Sequence, residues 1–130
     1  MGSIIKNNFF TLLVSLAVIV LSTIPIPETP MDGVPFIDKW VHFVMYGGVS
    51  VAMWFDLYFV RKERSLSAKF NVAVLTYPVI LGGLMELVQE YLTTYRNGDF
   101  LDFWADWFGA ILGNVISVLI FLYLTKVTKN

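Results

Sequence analysis

Four long apolar segments, separated by polar connectors, set the pattern of this chain. They cover residues 8–24, 38–60, 70–91 and 101–124. Since about 20 apolar residues suffice for a helix to cross a bilayer, we predict an all-α, polytopic protein in which four transmembrane helices form a bundle. The first segment also suggests a signal peptide, but its end, Ser-Thr-Ile-Pro, matches the small-residue cleavage site of that class poorly. We therefore interpret it as a retained helix.

The connectors set the predicted sidedness. The first holds four of the five prolines, which prevent a helix there, while the second is strongly basic. Lys and Arg accumulate in short cytoplasmic loops. One side of the predicted bundle carries Lys6, Arg61, Lys62, Arg64, Lys69, Lys126 and Lys129, and the other only Lys39 and Arg96. We therefore predict that both termini are cytoplasmic and that the proline-rich loop is extracytoplasmic.

The composition is typical of an integral membrane protein with one domain over residues 1–130. Hydrophobic residues make up 57% of the chain, above the roughly half-apolar make-up of soluble domains. The lack of cysteine excludes disulfides, thiolate catalysis, Cys zinc sites and iron–sulfur clusters. A net charge of −1 gives no reason to expect nucleic acid as a partner. The expected partner is the lipid bilayer.

Three of the predicted helices carry ionisable groups well inside the apolar segment. With a helix rise of ~1.5 Å per residue, His42, Glu86 and Asp106 all lie about 6–7 Å below the outer ends of their helices. A charge at membrane depth costs on the order of 3 kcal/mol, so such residues usually face a protein interior and mark function. Residues three or four apart share a helix face. The resulting stripes are Asp38, His42 and Tyr46; Glu86, Gln89 and Glu90; and Asp102, Asp106, Gly109 and Gly113.

Taken in order, these residues resemble the VanZ-like family of small bacterial membrane proteins. The resemblance spans residues 38–114 and rests on Asp38-Lys39-x-x-His42-Phe43-x-x-Tyr46, Glu86-x-x-Gln89, Arg96 with Asp99 and Asp102, and Asp106 followed by Asn114. The family takes its name from a member associated with low-level resistance to teicoplanin, a glycopeptide antibiotic that binds cell-wall precursors outside the cytoplasmic membrane. The resemblance implies a multi-pass protein of the cell membrane with a role at the cell envelope. It supplies no reaction.

We expect the deep ionisable groups to carry any chemistry. General acid–base catalysis needs titratable groups in contrasting environments, and the catalytic candidates are His42, Glu86 and Asp106. The candidates for substrate binding are Asp38, Lys39, Tyr46, Gln89, Glu90, Arg96, Asp99, Asp102 and Asn114. No nucleophile next to a base is evident. At the outer rim, Lys39 and Arg96 would either hold a phosphate or pair with neighbouring carboxylates.

Two further expectations concern a metal and the inner end of the bundle. One His with several carboxylates could bind a divalent ion, but the sequence has no His-x-x-x-His or Glu-x-x-His ligand pair. We therefore predict neither a metal nor a cofactor. Asp56, near the inner end of the second segment, is expected to pair with the basic connector in a structural role.

Three functions remain open at this point. The first is an outward-facing acidic site that acts on an envelope phospholipid or a lipid-linked cell-wall precursor and affects glycopeptide susceptibility. The second is a non-enzymatic membrane adaptor whose polar core only fixes helix packing and whose loops bind a partner membrane protein. The third, a small transporter using Glu86, ranks last because the inner halves of the helices offer no polar path apart from Asp56.

Overall fold

The computed structural model describes residues 1–25 and 27–128, and this part of the chain is helical and contains no strand. The all-α prediction is therefore confirmed there. Lys129, used above to predict sidedness, lies outside the described residues. The elements are α1 (Gly2–Asn7), α2 (Phe9–Thr23), α3 (Ile37–Phe55) with a π-helical turn (Asp56–Val60), α4 (Ala68–Leu92) and α5 (Phe100–Val127).

Three of these helices are long and apolar enough to cross a membrane. They are Ile37–Val60, Ala68–Leu92 and Phe100–Val127, with 24, 25 and 28 residues. Helix α2 has 15 residues, fewer than the ~20 that a full span needs. Large apolar side chains on the outward faces are exposed, for example Leu16, Ile80 and Leu119. These faces suit contact with lipid, so the chain is a membrane protein with three candidate spans.

Helices α3 and α5 form the closest pair because glycines bring their backbones together. A Cβ on Gly113 would lie 2.5 Å from the carbonyl oxygen of Gly47, and one on Gly47 would lie 3.0 Å from that of Gly109. Small residues allow this approach between apolar helices. The contact places the outer turns of α3 and α5 side by side, with the polar residues of both helices in reach of each other.

Helix α4 packs on this pair and contains Pro78. Proline has no N–H, so the carbonyl four residues earlier, that of Val74, loses its helical partner. The hydroxyl of Ser50 on α3 donates to this oxygen at 3.3 Å. The break in α4 is therefore compensated inside the bundle.

The inner end of the bundle differs from the expectation for Asp56. Its carboxylate does not pair with the basic connector; it accepts hydrogen bonds from the backbone N–H of Phe10 at 3.1 Å and from the N–H and hydroxyl of Thr11 at 2.8 and 2.7 Å. The first N–H groups of a helix lack internal acceptors and carry a partial positive charge. Asp56 thus caps α2, while Arg61 of the connector contacts Asn8.

Candidate functional site

Three helices bring one histidine and two carboxylates together, and we call His42, Glu86 and Asp106 the histidine cluster. Nδ1 of His42 lies 2.9 Å from Oδ1 of Asp106 and 3.8 Å from Oε1 of Glu86. The side chains of His42 and Asp106 are 3% and 0% exposed. The predicted convergence of α3, α4 and α5 at one depth therefore has a physical contact at its centre.

A second group, the lysine cluster, lies one turn further out and comprises Lys39, Asp38, Asp99 and Asp102. The ammonium nitrogen of Lys39 lies 2.5 Å from Asp38, 2.6 Å from Asp99 and 2.9 Å from Asp102. The contact with Asp102 is an ion pair whose angle falls outside hydrogen-bond geometry. Asp99 directly precedes α5 and lies outside the three long helices. The hydrogen bond from Lys39 lowers the pKa of the Asp99 carboxyl below its usual range.

Asp102 connects the two clusters. While its Oδ1 faces Lys39, its Oδ2 lies 3.7 Å from Nε2 of His42. The imidazole therefore has Asp106 on its Nδ1 side and Asp102 on its Nε2 side. An imidazole held between carboxylates is oriented and can accept or pass a proton. The acid–base role of these residues stays a prediction.

The connector between α4 and α5 is fixed by two glutamates one helical turn apart. Glu86 accepts a hydrogen bond from the N–H of Asp99 at 2.6 Å, and Glu90 accepts one from the N–H of Gly98 at 2.9 Å. A Cβ on Gly98 would lie 2.8 Å from the carbonyl oxygen of Glu86, so the connector needs glycine there. Asp99 in turn caps α5 by accepting from the N–H of Leu101. Glu86 thus serves the connector with one oxygen and the histidine cluster with the other.

A cavity of about 430 Å³ reaches the histidine cluster from the side of α2 and the proline-rich loop. His42 lines it together with Arg96. Its apolar walls include Leu21, Val41 and Met45, and its charged rim includes Glu28, Asp32 and Asp38. A cavity with apolar walls and a few convergent polar groups is the usual form of a small-molecule site.

Not every candidate from the sequence joins these clusters. Gln89 donates to the carbonyl of Ser22 at the end of α2, at 3.0 Å, and Glu90 binds the connector. Asn114 lies deeper in the bundle, where it accepts a hydrogen bond from the indole N–H of Trp54 at 2.8 Å. Tyr46 is fully buried and its ring stacks near that of His42, with centroids 6.2 Å apart.

The two basic residues of the outer rim behave differently. Lys39 forms ion pairs with three carboxylates. Arg96, by contrast, makes no ion pair within 4.0 Å with any carboxylate of residues 1–25 and 27–128. Sequence reasoning did not assign Glu28 or Asp32 to the site. Their only signal was charge in the proline-rich loop, which gives no indication of which helix that loop covers.

Fold and site together define an all-helical protein with three candidate membrane-spanning helices and buried ionisable groups near one end of them. Comparison of the chain with protein-family profiles, with curated proteins and with solved structures found no match in any of the three. The resemblance to the VanZ-like family stays a prediction.

Proposed function

We propose that this chain is a VanZ-like integral membrane protein that binds the headgroup of an envelope phospholipid or lipid-linked cell-wall precursor in the cavity above His42. The observation that carries the proposal is the cavity itself. Its apolar walls suit the first methylene groups of a lipid. Among its ionisable groups Arg96 can bind a phosphate, and the carboxylates of the rim can accept hydrogen bonds from hydroxyl or amino groups of a headgroup. His42, the one member of the histidine cluster that lines the cavity, supplies a group that can take or give a proton.

Arg96 is the group we assign to a phosphate of the headgroup. A guanidinium binds phosphate through two parallel hydrogen bonds, and this geometry is stronger and more specific than a single contact. Arg96 lines the cavity without a competing ion pair among the described carboxylates. Lys39 has three carboxylate neighbours, so its role is to hold the rim together.

The proposed topology has four membrane segments, both termini in the cytoplasm and the cavity on the extracytoplasmic side. The bias of Lys and Arg towards one side supports this orientation. Helix α2 alone is short, but residues 2–23 of α1 and α2 together would cover about 33 Å at ~1.5 Å per residue. A small mismatch between helix length and bilayer thickness costs only fractions of a kcal/mol per Å.

Single cysteines test the orientation cleanly, because the chain has no cysteine of its own. Thr94→Cys lies in the exposed α4–α5 connector, and Ser65→Cys lies in the exposed connector at the opposite end. We expect a membrane-impermeant maleimide to label Thr94→Cys in intact cells and Ser65→Cys only after permeabilisation. The reverse pattern would put the cavity in the cytoplasm and end the proposal.

Binding is tested with two lipid phosphates of short chain, farnesyl phosphate and dihexanoyl phosphatidylglycerol, added to the protein in nanodiscs. Loss of a charge-assisted hydrogen bond costs about 1.5–3 kcal/mol, so we expect Arg96→Gln to weaken binding by roughly 10- to 100-fold. The matched control is Lys69→Gln, which removes one positive charge at the exposed start of α4, at the other end of the bundle. Equal affinities for both variants and the wild type would contradict the role of Arg96.

The same variants separate this function from the adaptor hypothesis. The chain is expressed in a Gram-positive host that lacks it, and both teicoplanin susceptibility and folded yield are measured. We expect Arg96→Gln to fold normally and lose the effect on susceptibility. If only substitutions in the histidine cluster lose the effect, and always together with folded yield, the polar residues only fix helix packing and the adaptor is favoured.

A further inference from the structure

The two clusters of the site differ in how their negative charge is balanced. In the lysine cluster the ammonium group of Lys39 lies 2.5–2.9 Å from three carboxylates and fills the place of a cation. In the histidine cluster one buried and one partly buried carboxylate meet an imidazole, and no lysine or arginine of the described residues lies within ion-pair distance of them. The histidine cluster therefore has acceptors for a cation but no permanent cation.

The donor atoms of the histidine cluster have the spacing of metal ligands. Zinc binds imidazole nitrogen and carboxylate oxygen at about 2.0–2.2 Å, so neighbouring ligands of a tetrahedral ion lie roughly 3.3 Å apart. Here Nδ1 of His42 lies 2.9 Å from Asp106 and 3.8 Å from Glu86, and the three donor atoms all lie within 4.8 Å of one another. The two distances from Nδ1 of His42 are therefore each within about 0.5 Å of the tetrahedral value.

Unused lone pairs supply an independent indication. Oε1 of Glu86 and Oδ2 of Asp106 are buried and have no hydrogen-bond partner among the described residues. Asp106 itself is 0% exposed, and buried polar atoms are otherwise almost always paired. Oε1 of Glu86 is too far from His42 for a hydrogen bond but close enough to share an ion with it.

The groups around these donors also resemble the surroundings of a metal site. Ligating carboxylates are usually oriented by a second hydrogen bond, and Glu86 accepts one from the N–H of Asp99 through the oxygen that faces away from His42. The side chain of Asp106 packs closely against Gly82, where a Cβ would lie 2.5 Å from Oδ2. Both carboxylates thus have a neighbour that limits their movement.

We propose that the histidine cluster binds one divalent transition-metal ion, with Zn²⁺ as the reference ion, through Nδ1 of His42 and carboxylate oxygens of Glu86 and Asp106. Imidazole with carboxylate suits zinc and its first-row neighbours better than Mg²⁺ or Ca²⁺. Three protein ligands leave at least one position for water or for an oxygen of another molecule. The three ligands come from three different helices. A local motif such as His-x-x-x-His or Glu-x-x-His therefore does not mark them in the sequence. Binding of the ion does not depend on the proposed lipid.

Metal content tests the proposal on the full chain, purified in detergent through an affinity tag without histidine and equilibrated with Zn²⁺. We expect about one equivalent per chain in the wild type and at least ten-fold weaker binding in Glu86→Gln. Glu90→Gln is the matched control, since the same change on the same helix removes a carboxylate that binds only the connector. Wild type without zinc above the detergent blank, or equal binding in all three proteins, would overturn the proposal.

The single histidine of the chain gives a second readout that needs no variant. With ¹⁵N-labelled histidine, we expect added Zn²⁺ to shift the Nδ1 resonance of His42 by tens of ppm while it replaces the proton on that nitrogen. Bound zinc that leaves this resonance unchanged would show ligands elsewhere and overturn the assignment, even if Glu86→Gln fails to fold. Lipid binding is measured separately, so either proposal can fail alone.

Discussion

The contact between Gly82 of α4 and Asp106 of α5 gives the sharpest test of how packing sets the site. A Cβ on Gly82 would lie 2.5 Å from Oδ2 of Asp106, about 0.9 Å inside the 3.4 Å at which ordinary contact begins. Gly82→Ala must therefore displace the carboxylate of Asp106. A displacement of this size along the hydrogen bond would stretch its 2.9 Å beyond the 3.5 Å limit of a hydrogen bond.

The magnitude follows from two costs. A buried hydrogen bond to a charged group contributes about 1.5–3 kcal/mol, and overpacking of a close contact costs about 1–3 kcal/mol. Replacing glycine by alanine also stabilises the helix by up to ~1 kcal/mol, because alanine has the higher helix propensity. We therefore expect Gly82→Ala to be destabilised by roughly 3 kcal/mol, which lowers the melting temperature of a chain of this size by on the order of 10 °C.

The neighbouring glycine is the control. A Cβ on Gly83 would meet the ring of Phe103 at 3.5 Å, an ordinary contact, so Gly83→Ala gains the same propensity without the clash. Melting in detergent and the NMR resonances of the single histidine, His42, are measured for both. We expect a lower melting temperature and a shifted histidine signal for Gly82→Ala only. If the two variants agree in both measurements, Gly82 does not set the position of Asp106 and the reasoning is refuted.

Two further predictions concern carboxylates outside the histidine cluster. Asp56→Ala leaves the N–H and hydroxyl of Thr11 without their buried acceptor. We expect the free energy of unfolding, measured by melting in detergent, to fall by about 3 kcal/mol, with little change for Asp32→Ala in the exposed loop. Similar melting of the two variants would contradict the capping role of Asp56. For Asp99, the folded-state pKa is lowered by Lys39, so its contribution to stability is present above the unfolded pKa of about 3.9 and lost as pH falls through the lower folded value. Because the pair is partly exposed, the advantage of wild type over Asp99→Asn at pH 7 should stay under ~1 kcal/mol. It should shrink as pH falls below the unfolded pKa and disappear below the lowered folded-state pKa; an advantage that grows on acidification would reverse the assigned sign.

The helical class could be predicted from the sequence because apolar composition and length are local properties. The same holds for the rotation of residues about a helix axis, which explains why His42 and Asp106 were expected to converge. A shared helix face does not place two residues at the same depth in the bundle. Asn114 shares a helix face with Asp106, yet eight residues at ~1.5 Å place it about 12 Å deeper, where it meets Trp54. A stripe of polar residues therefore does not define a site by itself.

The partners of charged residues could not be predicted in the same way. Lys39 and Arg96 both stand at the outer rim, and only the packing of α3 on α5 directs Lys39 to Asp102. For Asp56, nearby positive charge pointed to the basic connector. The structure instead uses the free N–H groups at the start of α2, whose position depends on how two helices distant in sequence pack.

The two clusters form one chain of contacts. This limits which measurements can identify the residue that contacts a ligand directly. Glu86 holds the N–H of Asp99, Asp99 binds Lys39, Lys39 binds Asp102, and Asp102 faces His42. A substitution at any of them shifts its neighbours, so loss of activity alone identifies none as the group that meets a ligand. Neighbouring contacts also make such effects non-additive. A readout confined to one atom, such as the Nδ1 resonance of His42, distinguishes direct binding from a displaced neighbour.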